Sequence, residues 1–587
     1  MNRQARWRRK SDMRSLRRHD LGLAQVGLLL LFLLTGGPSV LALDWAHVGE
    51  ERLLKADGEP ENWLMVNRTY DSKRYSPLSQ IDTRNIKGLV PKWTFPLWIQ
   101  AGQESTPVVN NGIMIVTGAW SKLYVLDART GRLLWMREAK LPGDLPAVLC
   151  CDAVNRGVAV FGDAIYWVTL NAHLLALEAR TGRVIWDVTV EDYKAGYTLT
   201  AAPLIVKGKV VIGIAGGEFG IRGFLQAFDA HTGRSLWKTY TVPAPGEVGS
   251  ETWPSDSDAW KHGGGATWVT GSYDAELNVI YWGTGNPGPN FNGDVRPGNN
   301  LYTAAVLALD ADTGKIKWFY QWTPHDVWDY DGVNEMVLVD NVKRPNGTMI
   351  KKGLIHADKN GHFYLLDRTN GRFIYARPFV YVDSIKVDPT TGNVTALKWP
   401  KEGQEVLACP HGTAGKNWQP MSYNPETGLA YVPAVEMCGR FSSRRVNFKK
   451  GRYYGGGGHK ILSPAWGHLT AIEVSSGRTV WEREVKFPMF VGTVTTAGGL
   501  VFAGDSEGTL MALDARTGEL LWQFRTSAEI VSAPMTFAVD GKQYVAVVSG
   551  MGVRKSTQLA GVALRRDALK MKEVPGSPTL YVFGLPE

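Results

Sequence analysis

Four stretches of this 587-residue chain set polar side chains and glycines where a packed strand needs neither. They are Gly102-Gln103-Glu104-Ser105, Ala215-Gly216-Gly217-Glu218-Phe219-Gly220, Gly283-Thr284-Gly285-Asn286-Pro287, and Pro324-His325-Asp326-Val327-Trp328-Asp329-Tyr330-Asp331-Gly332. Oxygen donors dominate them, and Glu218, Asn286, Asp329 and Asp331 together suit a hard cation such as calcium. His325 stands alone and gives no transition-metal spacing. Each carboxylate taken singly reads equally well as a turn cap, so the chemistry requires that the four converge in space.

The second unusual feature is Cys150-Cys151. Adjacent Cα atoms lie about 3.8 Å apart, short of the roughly 4.4 to 6.8 Å that a disulfide usually spans, so a bond between them is strained, as groups at functional sites often are. We favour that vicinal bond over the alternative in which each reaches Cys409 or Cys438 separately. No Cys-x-x-Cys-His occurs and no cysteine pair has zinc spacing, so a redox cofactor here is not a covalently attached haem.

These residues hang on a repeat. Seven segments run from an apolar strand into Asp or Glu, then Thr, Ser or Asn three residues on, Gly at four and an aromatic at eight: Asp127 with Trp135, Glu178 with Trp186, Asp229 with Trp237, Asp310 with Trp318, Asp367 with Tyr375, Glu473 with Trp481, and Asp514 with Trp522. A degenerate eighth copy runs from Asp82 to Trp93. Each unit reads as strand, tight turn, strand, with glycine supplying positive φ and the acidic and hydroxyl side chains bonding turn amides. The aromatics are 51, 51, 81, 57, 106 and 41 residues apart, so four strands fit the shortest interval and the longest two carry insertions. An all-β propeller of eight blades, closed by N- and C-terminal strands, follows; solenoid turns are shorter and do not fix a Trp at one offset. It also accounts for 65 Gly and 22 Trp.

The net charge of +9 suggests an anionic partner, but residues 1 to 20 contribute +6 of it, and no basic stripe in the rest supports nucleic-acid binding. That basic head, the apolar centre Gly27-Leu28-Leu29-Leu30-Leu31-Phe32-Leu33-Leu34, and Gly36-Gly37-Pro38 before Val40-Leu41-Ala42 read as a signal peptide over residues 1–42, cleaved near Ala42. An uncleaved anchor is the alternative, and Arg17-Arg18 leaves the export route open. Residues 43–587 then form one exported domain.

Taken together the chain resembles the pyrroloquinoline quinone (PQQ)-dependent alcohol dehydrogenases, the methanol and ethanol quinoproteins, from about Trp63 to about Gly550. The resemblance rests on the Cys150 to Gly157 stretch, Gly216-Gly217-Glu218-Phe219-Gly220, Gly283-Thr284-Gly285-Asn286-Pro287, Thr323-Pro324-His325-Asp326 with Trp328-Asp329, and Asp358-Lys359-Asn360-Gly361. It implies that the Cys150-Cys151 disulfide covers one face of the quinone and Trp268 the other. Glu104, Arg156, Thr200, Asn417 and Trp418 then bind the cofactor, with Gly216 and Gly217 beside it. Glu218, Asn286 and Asp329 hold the metal, Asp329 takes the alcohol proton as hydride moves to the quinone, and Lys359 steadies the developing charge. Cys409 and Cys438 form a second, structural disulfide. Asp331 adds a third carboxylate, which balances a trivalent ion and marks lanthanide-dependent members, with calcium the alternative and a solvent-facing Asp331 the competing placement.

The resemblance further implies oxidation of alcohols in the periplasm, with electrons passed to a separate soluble cytochrome c, and a homodimer as one assembly. Where ethanol-type members carry a Trp near the substrate funnel this chain has Phe490-Val491-Gly492, and the stretch around Val553-Arg554-Lys555-Ser556 lacks the usual Gly- and Trp-rich end. A wider pocket for longer, aromatic or polyol alcohols follows. The competing classes are an exported propeller scaffold without catalysis, which needs none of these site residues, and a membrane-bound sugar-oxidising quinoprotein, which needs several spanning helices.

Overall fold

In a computed structural model, which describes residues 45–99, 101–550 and 576–586, the strands group into eight sheets of four or five strands and one two-stranded hairpin. The signal segment and the stretch around Val553 lie outside the described residues. Among those described, no helix is long and apolar enough to cross a membrane.

One sheet shows how the repeat folds. Val108–Asn110, Ile113–Gly118, Lys122–Asp127 and Leu133–Glu138 pair in chain order, all antiparallel. The first two strands are wholly buried, while the fourth alternates between half-buried and exposed positions. At the turn, Gly131 N–H donates to the Asp127 carbonyl at 2.8 Å, Asp127 Oδ1 accepts from Arg129 N–H, and Thr130 Oγ1 accepts from Arg132 N–H. Val125 then faces Trp135 while Leu126 faces Leu133, so one residue bulges just before the aromatic. The same slip precedes the aromatic in the other repeats, Trp93 included. A bulge bends and twists the outer strand, and here it aims the ring at the neighbouring sheet.

That ring lands on the next sheet's turn. Trp135 Nε1 donates to the Ala179 carbonyl at 3.0 Å, and a Cβ added to Gly182 would sit 2.8 Å from the indole. Trp93 docks likewise on Ala128, Trp186 on Ala230, Trp481 on Ala515, and Tyr375 through its hydroxyl on Val474. Trp237 and Trp318 lie over Gly314 and Gly371. Trp522 returns to the Leu89 carbonyl, next to the strand that carries Trp93. That strand, Val90–Pro96, pairs antiparallel with Thr579–Gly584, so both ends of the chain close one sheet, as the sequence requires.

The long intervals hold insertions. Between Tyr375 and Trp481 lie the hairpin Ile385–Val387 with Val394–Ala396, and the strands Leu429–Ser443 and Gly457–Glu473, which run far beyond the six residues typical of the other sheets. Cys409 and Cys438 are bonded in this region.

The turn glycine serves both the turn and the docking indole. Gly182→Ala places a Cβ at φ +71 and against Trp135, and is expected to cost about 2–4 kcal/mol in thermal unfolding. Gly208→Ala, at φ +68 with open space around it, is expected to cost only about 1 kcal/mol.

Candidate active site

The site residues occupy two kinds of position. Glu104, Arg156, Thr200, Trp268, Asp329 and Asp331 all precede the first strand of a sheet, as Arg156 precedes Ala159–Phe161 and Trp268 precedes Ser272–Asp274, and Trp418 precedes the short strand Ser422–Asn424. Glu218, Asn286 and Lys359 follow the second strand, as Asn286 follows Val279–Gly283. Because those two strands are antiparallel, the start of one and the end of the other lie at the same end of the sheet, and several sheets aim their departures from the repeat at one place.

On one side of that place is Arg156. Its Nη2 pairs with Glu104 Oε2 at 2.6 Å, its Nη1 donates to Thr200 Oγ1 at 2.8 Å, and its guanidinium lies 4.9 Å from the Trp268 ring and 4.8 Å from the Trp418 ring. Arg156 Nε is buried without a hydrogen-bond partner among the described residues. An unsatisfied cationic donor between indole faces fits a flat aromatic acid, the chemistry of PQQ. Asn417 lies beside this group, its Oδ1 accepting from Trp418 N–H and its carbonyl from Lys416 Nζ.

On the other side are the carboxylates. Gly216 and Gly220, both at positive φ, bracket the short turn that presents Glu218, and a side chain on Gly216 would strike the Gly196 carbonyl at 1.9 Å. These glycines shape the turn around Glu218. The Sγ atoms of Cys150 and Cys151 and a Glu218 carboxylate oxygen lie within 4.8 Å of one another, and the two cysteines are bonded to each other. The vicinal pairing holds, and with both thiols oxidised the trio offers no thiolate to a metal.

Asp329 and Asp331 sit on a loop whose intervening residues, Trp328 and Tyr330, are fully buried and stacked on each other. The neighbours turn inward to the core and the two acids turn toward the site. The backbone is left-handed at His325 (φ 53°), Asp329 (φ 69°) and Asp331 (φ 61°), conformations that persist only where surroundings enforce them. Asp326 supplies the enforcement: its carboxylate accepts from the amides of Trp328, Tyr330 and Asp331 at 2.8, 2.9 and 3.2 Å. Sequence reading passed over Asp326, although an Asp followed at short spacing by two more is the signal of a carboxylate capping its own loop.

Asp331 is 4 % exposed. Its Oδ1 accepts from Asn286 N–H at 3.0 Å and its Oδ2 takes Lys359 Nζ at 2.6 Å, so a solvent-facing Asp331 is excluded. Gly285 permits the approach, since a Cβ there would meet Asp331 Oδ1 at 2.7 Å. Lys359 Nζ also donates to the Asp329 carbonyl at 2.7 Å, and Asn290 Nδ2 donates to Asp329 Oδ1 at 3.1 Å. Burial lifts Asp329 well above the usual carboxylate range, and Asp331 and Glu218 add to the lift against the pull of Lys359. Burial, reinforced by Asp331, pushes Glu218 up to about 7. Burial opposes charge on Lys359, yet Asp331 and Asp329 outweigh it and raise its pKa. Asp331 and the Asp329 carbonyl hold one ammonium, and Glu218 is near enough to feel Asp331 and Lys359. Ligand atoms of the three acids do not all lie within 4.8 Å of one another, but the excess of carboxylates suits a multivalent cation that would draw them together.

A family model described as glucose/ethanol/alcohol dehydrogenase, β-propeller domain, matches residues 63–390 and 439–545. The chain belongs to the PQQ-dependent alcohol dehydrogenase family. It is 40% identical over 573 residues to the quinoprotein alcohol dehydrogenase PedH of Pseudomonas putida, covering 92% of this chain and 94% of that one. It is 38% identical over 545 residues to the lanthanide-dependent methanol dehydrogenase of Methylacidiphilum fumariolicum, covering 87% and 88%. Among solved structures, a europium-containing methanol dehydrogenase superposes with TM-score 0.86 at 36% identity, over 91% of this chain and all of the other. The matching family model is that of a β-propeller domain. Phe490, which the sequence sets near the substrate funnel, packs at the edge of the apolar cluster of Ala414, Val435 and Met437.

In the metal-free protein Glu218 holds its proton up to about 7, whereas the unfolded chain releases it near about 4.3. The folded state therefore binds more protons in that window, so stability is expected to fall as pH rises from about 4.3 to about 7, and Glu218→Gln to flatten its share of the slope in thermal unfolding. Asp326→Ala leaves three buried amides without an acceptor and is expected to cost about 3 kcal/mol, with loss of metal binding in a titration followed by calorimetry.

Proposed function

We propose that this protein is an exported PQQ-dependent dehydrogenase, an eight-bladed propeller over residues 43–587, that oxidises primary alcohols to aldehydes in the periplasm and hands electrons to a separate soluble cytochrome c. The observation that carries the reading is the buried cluster in which Asp329, raised by burial and by its acidic neighbours, stands beside Lys359 and Asp331. A scaffold gains nothing from crowding like charges, because burying unpaired charge is costly. Eight four- or five-stranded sheets linked by docked aromatics support the blade count, and the leader-like head of the sequence supports export.

Bound in this site, the quinone supplies a two-electron acceptor and the cation supplies Lewis acidity together with the positive charge that ionises its carboxylates. Arg156, Glu104 and Thr200, with Trp268, Trp418 and the Cys150-Cys151 disulfide around them, would hold the cofactor. Glu218, Asn286, Asp329 and Asp331 would hold the cation. Asp329 accepts the alcohol's hydroxyl proton, and Asn290 fixes the carboxylate that receives it. Lys359 keeps its positive charge beside the reacting groups.

Three carboxylates favour a lanthanide, and the lanthanide-dependent and europium-containing relatives support that choice. One contact favours calcium instead: Lys359 on Asp331 at 2.6 Å balances one of the three charges.

Dye-linked oxidation of a panel of primary alcohols, by protein reconstituted with PQQ and either La³⁺ or Ca²⁺, tests both levels. Activity is expected with La³⁺ and weak with Ca²⁺, and Asp331→Ala is expected to lose the La³⁺ activity by about 100-fold or more. Activity with Ca²⁺ alone refutes the lanthanide and keeps the enzyme. Folded protein that binds PQQ yet oxidises nothing with either metal refutes the alcohol assignment, and Asp329→Asn is expected to reduce kcat by about 10² to 10⁴.

A further inference from the structure

The long hairpin Leu429–Ser443 with Gly457–Glu473 pairs from Leu429 opposite Glu473 to Ser443 opposite Gly457, with one irregularity between Glu436 and Cys438. Its tip, residues 444–456, is fastened to the residues that build the site. Tyr454 N–H donates to the Glu218 carbonyl at 2.6 Å, and Phe291 N–H, one residue beyond the Asn290 that holds Asp329, donates to the Gly455 carbonyl at 2.9 Å. Asn292 Nδ2 donates to the Arg444 carbonyl at 3.1 Å. Phe448 stacks on His262 with ring centres 3.5 Å apart, and Lys450 pairs with Asp192 at 2.8 Å. The tip is therefore tied down from several sides, and the residue between these ties is Tyr453.

Tyr453 meets Phe219, the neighbour of Glu218, edge to face at 6.5 Å, and is 49% exposed. Its hydroxyl has no hydrogen-bond partner among the described residues, so the ring is placed by the tip's backbone and by Phe219. Partial burial of the phenol, and then the charges of Asp329 and Glu218, raise its pKa. Phe219 itself is 2% exposed and packs with Leu145, Leu149 and Leu170, which leaves it no freedom to yield. An alcohol whose hydroxyl reaches Asp329 must put its carbon tail past the groups around that carboxylate, and Tyr453, set beside Glu218 and Phe219 by the hairpin tip, is bulky and half exposed.

We propose that Tyr453, carried over the site by the hairpin tip, sets the upper size of the carbon tail this enzyme accepts. The inference rests on reading the site as one that oxidises alcohols. The wall acts by shape, so the ring matters and the hydroxyl does not. Opening space for a few carbon atoms is worth roughly 10- to 200-fold in discrimination.

The test compares Tyr453→Ala, Tyr453→Phe and Tyr453→Trp with the parent, all loaded with PQQ and metal. The ratio of kcat/KM for 3,3-dimethylbutan-1-ol to that for ethanol is expected to rise at least about tenfold in Tyr453→Ala, to stay within about twofold in Tyr453→Phe, and to fall in Tyr453→Trp. A second readout needs no turnover: 3-ethylpentan-3-ol has no hydrogen on its carbinol carbon, and its binding, followed by tryptophan fluorescence, is expected to tighten in Tyr453→Ala and not in Tyr453→Phe. An unchanged ratio and unchanged binding in Tyr453→Ala, with PQQ absorbance intact, overturns the proposal, as does a Tyr453→Phe variant that behaves like Tyr453→Ala. If Tyr453→Ala does not fold, Tyr453→Phe and Tyr453→Trp decide by the same two measures. A parent that oxidises no alcohol refutes the function proposed above, and tertiary-alcohol binding then decides the role of Tyr453 by itself.

Discussion

An indole laid over the turn glycine of the next sheet is the contact on which the rest of this structure depends. A four-stranded antiparallel sheet has faces it cannot bury alone, and each of these sheets leaves its fourth strand half open. The bulge before the aromatic turns the ring sideways, the missing Cβ lets it settle, and the indole N–H takes a carbonyl that the turn leaves free. Tyr375 shows that the geometry matters more than the residue, since its hydroxyl reaches Val474 and fills the same role.

Repetition then makes convergence possible. Because first and second strands run in opposite directions, the connections into one and out of the other share an end of the sheet. One or two unusual residues per connection are enough to build a site: Arg156 comes from one sheet, Trp268 and Asn286 from another, Lys359 and the two aspartates from a third. Each residue looks isolated in the chain, and the geometry of the sheets brings it to the others. The 81- and 106-residue intervals do carry insertions, but the acid-bearing loop of Asp329 and Asp331 sits in an interval of nearly ordinary length.

The site stores its chemistry as electrostatic conflict. Glu218, Asp329 and Asp331 disfavour one another's charge in a buried setting, and one ammonium cannot satisfy all three. The backbone of the acid-bearing loop is likewise held in left-handed conformations by Asp326 and by the buried stack of Trp328 and Tyr330. Both conflicts point to a ligand that brings positive charge and rigid geometry, which is what a cofactor–metal pair provides.

The sequence by itself determined the repeat, the turn chemistry and the all-β class, because these are local: an acidic residue, a glycine and an aromatic at fixed offsets dictate a turn and a bulge wherever they occur. Motifs such as Cys150-Cys151 and Gly283-Thr284-Gly285-Asn286-Pro287 were legible for the same reason, each being contiguous. Only the tertiary structure decided that Asp331 is buried on Lys359 and not open to solvent, that Gly216 and Gly285 serve the approach of neighbouring groups, that Asp326 holds the loop, and that the run from Arg444 to Gly455 reaches across to Glu218 and Phe291. These depend on residues far apart in the chain meeting across different sheets. The physical reason is that burial and charge proximity are properties of the assembled array, and no spacing along a strand encodes which carboxylate a lysine will find there.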